Sequence, residues 1–275
     1  MTTIEPCGDC GFDHGLELDK ASEWHNANPG SYALQVIRGD CFRIVERWPK
    51  GCIDLVVTDP PYGGILDATW EWDQSWDGSA YDNLANLLGH ILIPGGTAYV
   101  WGGIGKVQNR PFLSWLGRVE YSGLRLHDLI TWTKKRAYGK SNAYLFTREE
   151  CAMLVKPHSD QTLHDCRPKT FNVPLLDEKR GYAGYNAKYP AKSEFLRRTN
   201  VWSDVTELLQ GKIHPAEKPS RLAEIMIETS SNPNDLVADL FAGSGSTAVA
   251  AHKLGRRCVL IEKSQCAMHE GIVTG

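Results

Sequence analysis

The sequence predicts an α/β fold, a mostly parallel sheet with helices on both faces, on three observations. Short apolar runs alternate with stretches whose apolar residues recur at helical spacing. Two of the runs end at Gly39-Asp40 and Thr58-Asp59, as buried strands do where they emerge at a sheet's carboxyl edge. Near the far end another run opens into a glycine-rich turn, Ala242-Gly243-Ser244-Gly245, ahead of a further helical stretch. Parallel strands need crossover helices, and helices on both sides cover the sheet, so the class is Rossmann-like.

Regular patterning starts at Tyr32. Residues 33–37 predict a first strand, 42–48 a short helix and 53–57 a buried strand of five apolar or shielded residues. Apolar spacing over 81–91 predicts a helix. Pro94-Gly95-Gly96 predicts a turn, followed by a strand over 97–101, and 129–132 and 152–155 predict two more. From 156 to 212 the pattern breaks into Pro, Gly, Tyr and basic residues, which inside a compact domain marks a functional or mobile segment. Order returns with a helix over 220–230 introduced by Pro219, a strand over 236–239, a helix over 246–254 and a strand over 258–262. Residues 1–31 read as an irregular N-terminal extension, and 32–275 as one domain.

The 275 residues suffice for one large domain with a full core. The apolar runs are too short to span a bilayer, and the first residues lack the basic-then-apolar order of a signal peptide. No membrane association and a cytoplasmic location are expected, with the eight cysteines as reduced thiols. Net charge is −3, but residues 131–198 hold fourteen Lys and Arg against seven Asp and Glu, leaving −10 for the remainder. A basic segment in an acidic body suits contact with DNA, although ordinary solvated surface gives the same count. Cys7-Gly-Asp-Cys10 looks like half of a zinc knuckle, with His14 and His25 as candidate further ligands; a second Cys-x-x-Cys is absent, and no metal is assigned.

Two motifs carry chemistry. The first is Asp239-Leu-Phe241-Ala-Gly243-Ser-Gly245-Ser246-Thr247, a strand, a glycine-rich turn and a helix start. Its glycines let backbone approach a ligand, the helix N-terminus offers N–H groups, and Glu262 ends the next strand where an acid can take ribose hydroxyls. The third glycine of a dinucleotide site and the Gly-Lys-Thr/Ser of a triphosphate loop are both missing. Alone, this motif is equally compatible with a tight turn that holds no ligand. The second is Thr58-Asp59-Pro60-Pro61-Tyr62-Gly63. Two prolines fix the backbone so that carbonyls point away from a ladder, Asp59 adds a carboxylate and Tyr62 a flat face. Together these can hold a planar ring bearing an NH2 group, where a bland reading is a Pro-rich turn.

The pair resembles the DNA N4-cytosine/N6-adenine amino-methyltransferases, in which Asp-Pro-Pro-Tyr is the catalytic motif and Phe-x-Gly-x-Gly binds S-adenosyl-L-methionine. Gly39-Asp40, Pro94-Gly-Gly-Thr-Ala-Tyr-Val100, Ile130-Thr-Trp132-x-Lys134, Asn200-Val-Trp202-x-Asp204 and His214-Pro-Ala-Glu-Lys218-Pro219 extend the likeness over 34–262. The catalytic motif comes first and the cofactor motif last, as in the family's beta arrangement. The resemblance therefore implies an S-adenosylmethionine-dependent methyltransferase fold in circularly permuted form, with the last strand's neighbour at 33–37.

It also implies residue roles. Asp59, Pro60, Pro61 and Tyr62 are the catalytic set, with the Asp59 carboxylate and Pro60 carbonyl taking the N–H groups of the target amine. Asp239 binds the cofactor's amino group, Phe241 packs beside it, and Gly243, Gly245, Ser246 and Thr247 shape the loop. Glu262 takes the ribose, Asp40 lies near the adenine, His214 closes the methionine end and Lys218 pairs with its carboxylate. Residues 156–212 fall where the family keeps target recognition, and the partner is double-stranded DNA with the target base flipped out. The three tryptophans 70, 72 and 76 follow the catalytic motif, as a loop over ligand or as a dimer surface; a homodimer is left open. Pro6-Cys7 lies outside any strand–loop context, against a cytosine-C5 enzyme with its cysteine nucleophile. Adenine is favoured because cytosine-N4 enzymes more often carry Ser at the place of Asp59. Protein glutamine methylation, whose tetrad begins with Asn, and an inactive DNA-binding relic are the remaining alternatives.

Overall fold

A computed structural model of the chain describes residues 34–62, 76–104, 111–138, 144–158, 166–179, 193–208 and 217–263. In chain order the strands are β1 (Leu34–Arg38), β2 (Ile53–Thr58), β3 (Leu92–Gly102), β4 (Arg125–Tyr138), β5 (Phe146–Val155), β6 (Leu175–Lys179), β7 (Phe195–Arg197), β8 (Val201–Trp202), β9 (Leu236–Asp239) and β10 (Arg257–Glu262). The α-helices are α1 (Cys41–Val45), α2 (Gly78–Ile91), α3 (Pro111–Leu116), α4 (Ser220–Ser230) and α5 (Ser246–Lys253). Eight strands form one sheet in the order β1-β10-β9-β2-β3-β5-β4-β8, while β6 and β7 pair separately. Within the large sheet only β5 runs against its neighbours.

The permutation is visible in the register. β1 lies parallel to β10, from Leu34 opposite Cys258 to Arg38 opposite Glu262, so strands from the two ends of the chain are neighbours. This brings the ends of β1, β10, β9 and β2, and with them Asp40, Glu262, Asp239 and Asp59, to one edge of the sheet.

Side chains alternate across the sheet and build two cores. On one face Ile53, Val56, Ala98, Val100 and Ile261 meet α1, α2 and α3; on the other Leu55, Val57, Tyr99, Trp101 and Leu260 meet α4 and α5. α2 forms because Asp77 caps it, accepting from the Ser79 and Ala80 N–H groups at 2.9 and 3.0 Å. Its Tyr81, Leu84, Leu88 and Ile91 repeat at three or four residues and are fully buried, each apolar side chain contributing about 1.5–3 kcal/mol.

Two expectations need adjustment. Pro94-Gly95-Gly96 lies inside β3 rather than before it, but the β2 register jumps there from Ile53–Leu92 to Leu55–Thr97, so the triplet forms a bulge. Gly95 and Gly96 instead exchange hydrogen bonds with Lys156 beyond β5. The stretch 156–212 is less irregular than its composition, since it supplies β6, β7 and the edge strand β8. The extension 1–31 lies outside the described residues.

Candidate active site

At one end of the site β9 stops at Asp239 and α5 starts at Ser246. Gly243 (φ 51°) and Gly245 (φ 85°) are left-handed, a conformation that bulky L residues avoid. Asp239 ties the turn together. Its Oδ1 accepts from the Phe241 N–H and the Thr58 hydroxyl, both at 3.1 Å, and its Oδ2 from the Thr247 hydroxyl at 2.6 Å. Thr58 in turn accepts from the Leu240 N–H at 3.3 Å, so the end of β2 is stitched to the glycine-rich turn. These donors are all neutral, and burial pushes the Asp239 carboxyl up to about 6.

Glu262 Oε2 accepts from the Gly243 N–H at 2.7 Å. Asp40, at the end of the neighbouring strand, caps α1 through the Phe42 N–H (3.0 Å) and pairs with Lys263 (2.9 Å). Among the described residues no side chain caps the N-terminus of α5. Phe241 stands edge-on to Trp76 at 5.2 Å, and Trp76 is itself buried against Tyr81.

At the other end lies the tetrad. The Tyr62 hydroxyl has one proton to donate; Asp59 Oδ1 at 2.7 Å is its nearer acceptor and Glu149 Oε2 at 3.2 Å the alternative. Pro60 is buried, and the Pro61 carbonyl accepts from the Tyr81 hydroxyl at 3.3 Å, which pins the turn to α2. Lys218 donates to Asp59 Oδ2 and to the Tyr62 oxygen (2.8 Å), and its Nζ stands 3.2 Å from Glu149 Oε2. Lys218 Nζ is 5.2 Å from the Tyr62 ring centre but only 2.8 Å from its oxygen, so it sits beyond the hydroxyl edge rather than over the ring face. Lys134 closes the set by donating to Glu149 Oε1.

Electrostatics differ along this chain of groups. Burial pushes the Asp59 carboxyl up, and Lys218 opposes without cancelling it. Burial would also raise Glu149, but Lys218 and Lys134 together outweigh it and hold that carboxyl down at about 2. Burial tends to strip Lys218 of its proton, yet Asp59 and Glu149 reverse the effect and its pKa rises. The Tyr62 phenol is driven well above its ordinary value, by burial first and then by Asp59, so it is a neutral donor.

The structure thus brings Asp59, Pro60, Pro61, Tyr62 and Lys218 together, and gathers Asp239, Phe241, Gly243, Gly245, Ser246, Thr247, Glu262 and Asp40 beside them. Lys218, expected at a cofactor carboxylate, contacts Asp59. Asp239, expected to bind an amino group, here organises the turn. His214, Gly63, Trp70, Trp72 and the Cys7, Cys10, His14, His25 group lie outside the described residues. Trp76 belongs to the core. Glu149 was missed, and Lys134 entered only as part of a family-like string; an acid at the start of a buried strand was the one local signal.

The basic segment is also rearranged. Lys134 holds Glu149, Lys156 donates to the Leu92 carbonyl at 2.6 Å and Lys169 pairs with Asp54 at 2.9 Å. Arg198 is buried, paired with Asp204 at 2.5 Å and 5.9 Å from the Trp202 ring centre. Lys134, Lys156 and Arg198 are thus at least partly enclosed by the fold, whereas Lys169 and Arg197 are exposed. Among the described residues no helix is long and apolar enough to cross a membrane.

Comparison with known proteins agrees with this geometry. Residues 53–271 match the family model for N6/N4 methyltransferases, described as DNA methylase. The chain is similar to the type II methyltransferase M2.LlaDCHI of Lactococcus lactis subsp. cremoris, 26% identical over 84% of each chain. Among solved structures it resembles the cytosine-N4-specific PvuII DNA methyltransferase, with a TM-score of 0.62 at 19% identity, covering 85% of this chain and 83% of that one. It also resembles a putative DNA modification methylase of Thermus thermophilus, solved in complex with S-adenosyl-L-methionine, with a TM-score of 0.57 at 22% identity, covering 86% and 89%. With the matched model spanning both motifs and the sheet between them, the chain belongs to the DNA methylase family of N6/N4 methyltransferases.

Proposed function

We propose that the chain methylates the N6 exocyclic amine of adenine in double-stranded DNA, with S-adenosyl-L-methionine as donor. The observation that carries the reading is a carboxylate, Asp59, held at the sheet edge beside a neutral phenol and next to the glycine-rich turn. The turn fits the cofactor: two left-handed glycines clear the backbone, the α5 N-terminus carries no side-chain cap among the described residues, and Glu262 and Asp40 lie at the ends of adjacent strands. Glu262 suits the ribose hydroxyls and Asp40 the vicinity of the adenine. When bound, S-adenosyl-L-methionine supplies an electrophilic methyl group on a sulfonium.

The chain's own groups prepare the nucleophile. An adenine flipped from the duplex costs a few kcal/mol of pairing and stacking. The Tyr62 ring can return about 1–3 kcal/mol as a stacking plate, and Lys218 sits off its hydroxyl edge rather than over its face. Asp59 and the Pro60 carbonyl accept the two N–H bonds of the amine, drawing its lone pair out of conjugation with the ring. With the amine so held, its nitrogen would be the acceptor of the cofactor's methyl group, and the surplus proton on nitrogen would be lost to water. Positioning and electrostatics carry the catalysis, with no covalent enzyme adduct. The exposed part of 156–212 is assigned to target recognition.

Cytosine N4 is the second reading, favoured by the likeness to the PvuII enzyme. Nucleoside mass spectrometry of methylation-free DNA after incubation with enzyme and methyl-deuterated cofactor separates the two. Label in N6-methyladenine supports the proposal. Label in N4-methylcytosine alone overturns the base assignment.

A further inference from the structure

Four side chains of alternating charge run from the tetrad into the sheet: Asp59, Lys218, Glu149 and Lys134. All are largely enclosed, with side-chain exposures of 26, 11, 19 and 22%. They come from β2's exit, the lead-in to α4, β5 and β4. Glu149 sits opposite Trp132 in the β4–β5 ladder, which makes Lys134 its diagonal neighbour on the same face. Formal charges sum to zero, and Glu149 is the only member that touches both polar partners of Asp59, namely Lys218 and Tyr62.

We propose that Glu149 is a positioning residue for methyl transfer: it shares Lys218 and Tyr62 with Asp59, so that the catalytic carboxylate keeps capacity to accept the target amine, and Lys134 is its counter-ion. The proposal rests on the reading of Asp59 as that acceptor. An ammonium that belonged to Asp59 alone would form a tight buried pair, occupy the carboxylate's lone pairs and lower its basicity. A second carboxylate on the same ammonium divides that pull. Glu149 also offers the phenol another acceptor at 3.2 Å when the amine arrives at Asp59. Stability is a weak explanation for such a network, since buried ion pairs can often be replaced by apolar groups of similar volume.

The test uses Glu149→Gln and Lys134→Met in the full chain, with Asp59→Ala as control. In Glu149→Gln, kcat should fall roughly tenfold or more while calorimetric cofactor affinity stays within about threefold. Its kcat–pH profile should move its acid limb to lower pH, because a negative neighbour of Asp59 is gone. Lys134→Met should move the limb the opposite way, because Glu149 then pulls Lys218 harder. A structural role would change the amplitude without these opposed shifts. If Glu149→Gln does not fold, the Lys134→Met shift decides alone. Unshifted profiles in the folded variants, or a loss of transfer that tracks loss of cofactor binding, would overturn the proposal. If Asp59→Ala still transfers methyl groups, the reading of Asp59 is what fails instead.

Discussion

Asp239 and Glu149 are both enclosed acids of one site, yet the fold treats them in opposite ways. Asp239 receives three neutral donors, two hydroxyls and one N–H, and burial wins, carrying its carboxyl up to about 6. Glu149 receives two ammonium groups, and they defeat burial, holding its carboxyl at about 2. The turn after β9 is thus held by backbone shape and neutral donors to Asp239, and the tetrad end by paired charge. A weakly nucleophilic amine needs fixed charge close to the acid that accepts it.

The first prediction concerns the shape-built end. Gly243→Val places a β-branched residue at φ 51°, at a conformational cost of about 1–3 kcal/mol, and obstructs the backbone approach. Cofactor affinity should fall at least tenfold by calorimetry in a variant whose circular dichroism matches the parent. Normal affinity would mean that the turn does not hold the cofactor.

The second prediction separates the two acids by pH. For Asp239 the folded value is above the unfolded one, so the folded state binds more protons and stability falls as pH rises from about 3.8 to 6. Asp239→Asn removes this loss, and its stability relative to the parent should be greater at pH 7.5 than at pH 4, by up to about 3 kcal/mol. For Glu149 the folded value lies below the unfolded one, so its ionisation stabilises above pH 4.5 and that gain disappears as pH falls toward 2. Glu149→Gln should therefore cost most stability above pH 4.5 and least near pH 2. Urea unfolding at these pH values reads both, and slopes of the same sign would erase the contrast.

How much of this could be read from the sequence follows the same division. The glycine-rich end is contiguous, nine residues from Asp239 to Thr247 with Glu262 a short distance on, so strand, turn and helix signals state it locally. The tetrad is equally local. What surrounds it is not: Lys218 reaches Asp59 across 159 residues, and Glu149 and Lys134 meet only because two antiparallel strands share a register. Charge counting is blind for a related reason. It cannot distinguish Arg198, buried against Asp204, from its exposed neighbour Arg197.

The joint between the two ends should give a smaller effect. Thr58→Val leaves Asp239 Oδ1 with one donor and the Leu240 N–H without its hydroxyl acceptor, at about 1–3 kcal/mol. Because Thr58 belongs to β2 but bonds the turn after β9, the variant should weaken cofactor binding and slow transfer together. Loss of only one would show that the ends are not joined through this hydroxyl. Smallest of all, Arg197→Ala should reduce the log–log salt slope of DNA binding by about 0.9 if it meets one phosphate, with cofactor affinity unchanged. An unaltered slope would remove Arg197 from the DNA surface.

The most direct measurement is made on Asp59→Ala, with cofactor titration and labelled methyl transfer to DNA followed on the same preparation. Asp59 lies at the charged end, and among the described residues no hydrogen bond or ion pair joins it to the glycine-rich turn, although its charge helps to raise the Asp239 carboxyl. Cofactor should bind nearly as in the parent, and transfer should fall by about 10²–10⁴. A folded variant that retains most of its transfer, or one that loses cofactor binding in step with transfer, would contradict the account.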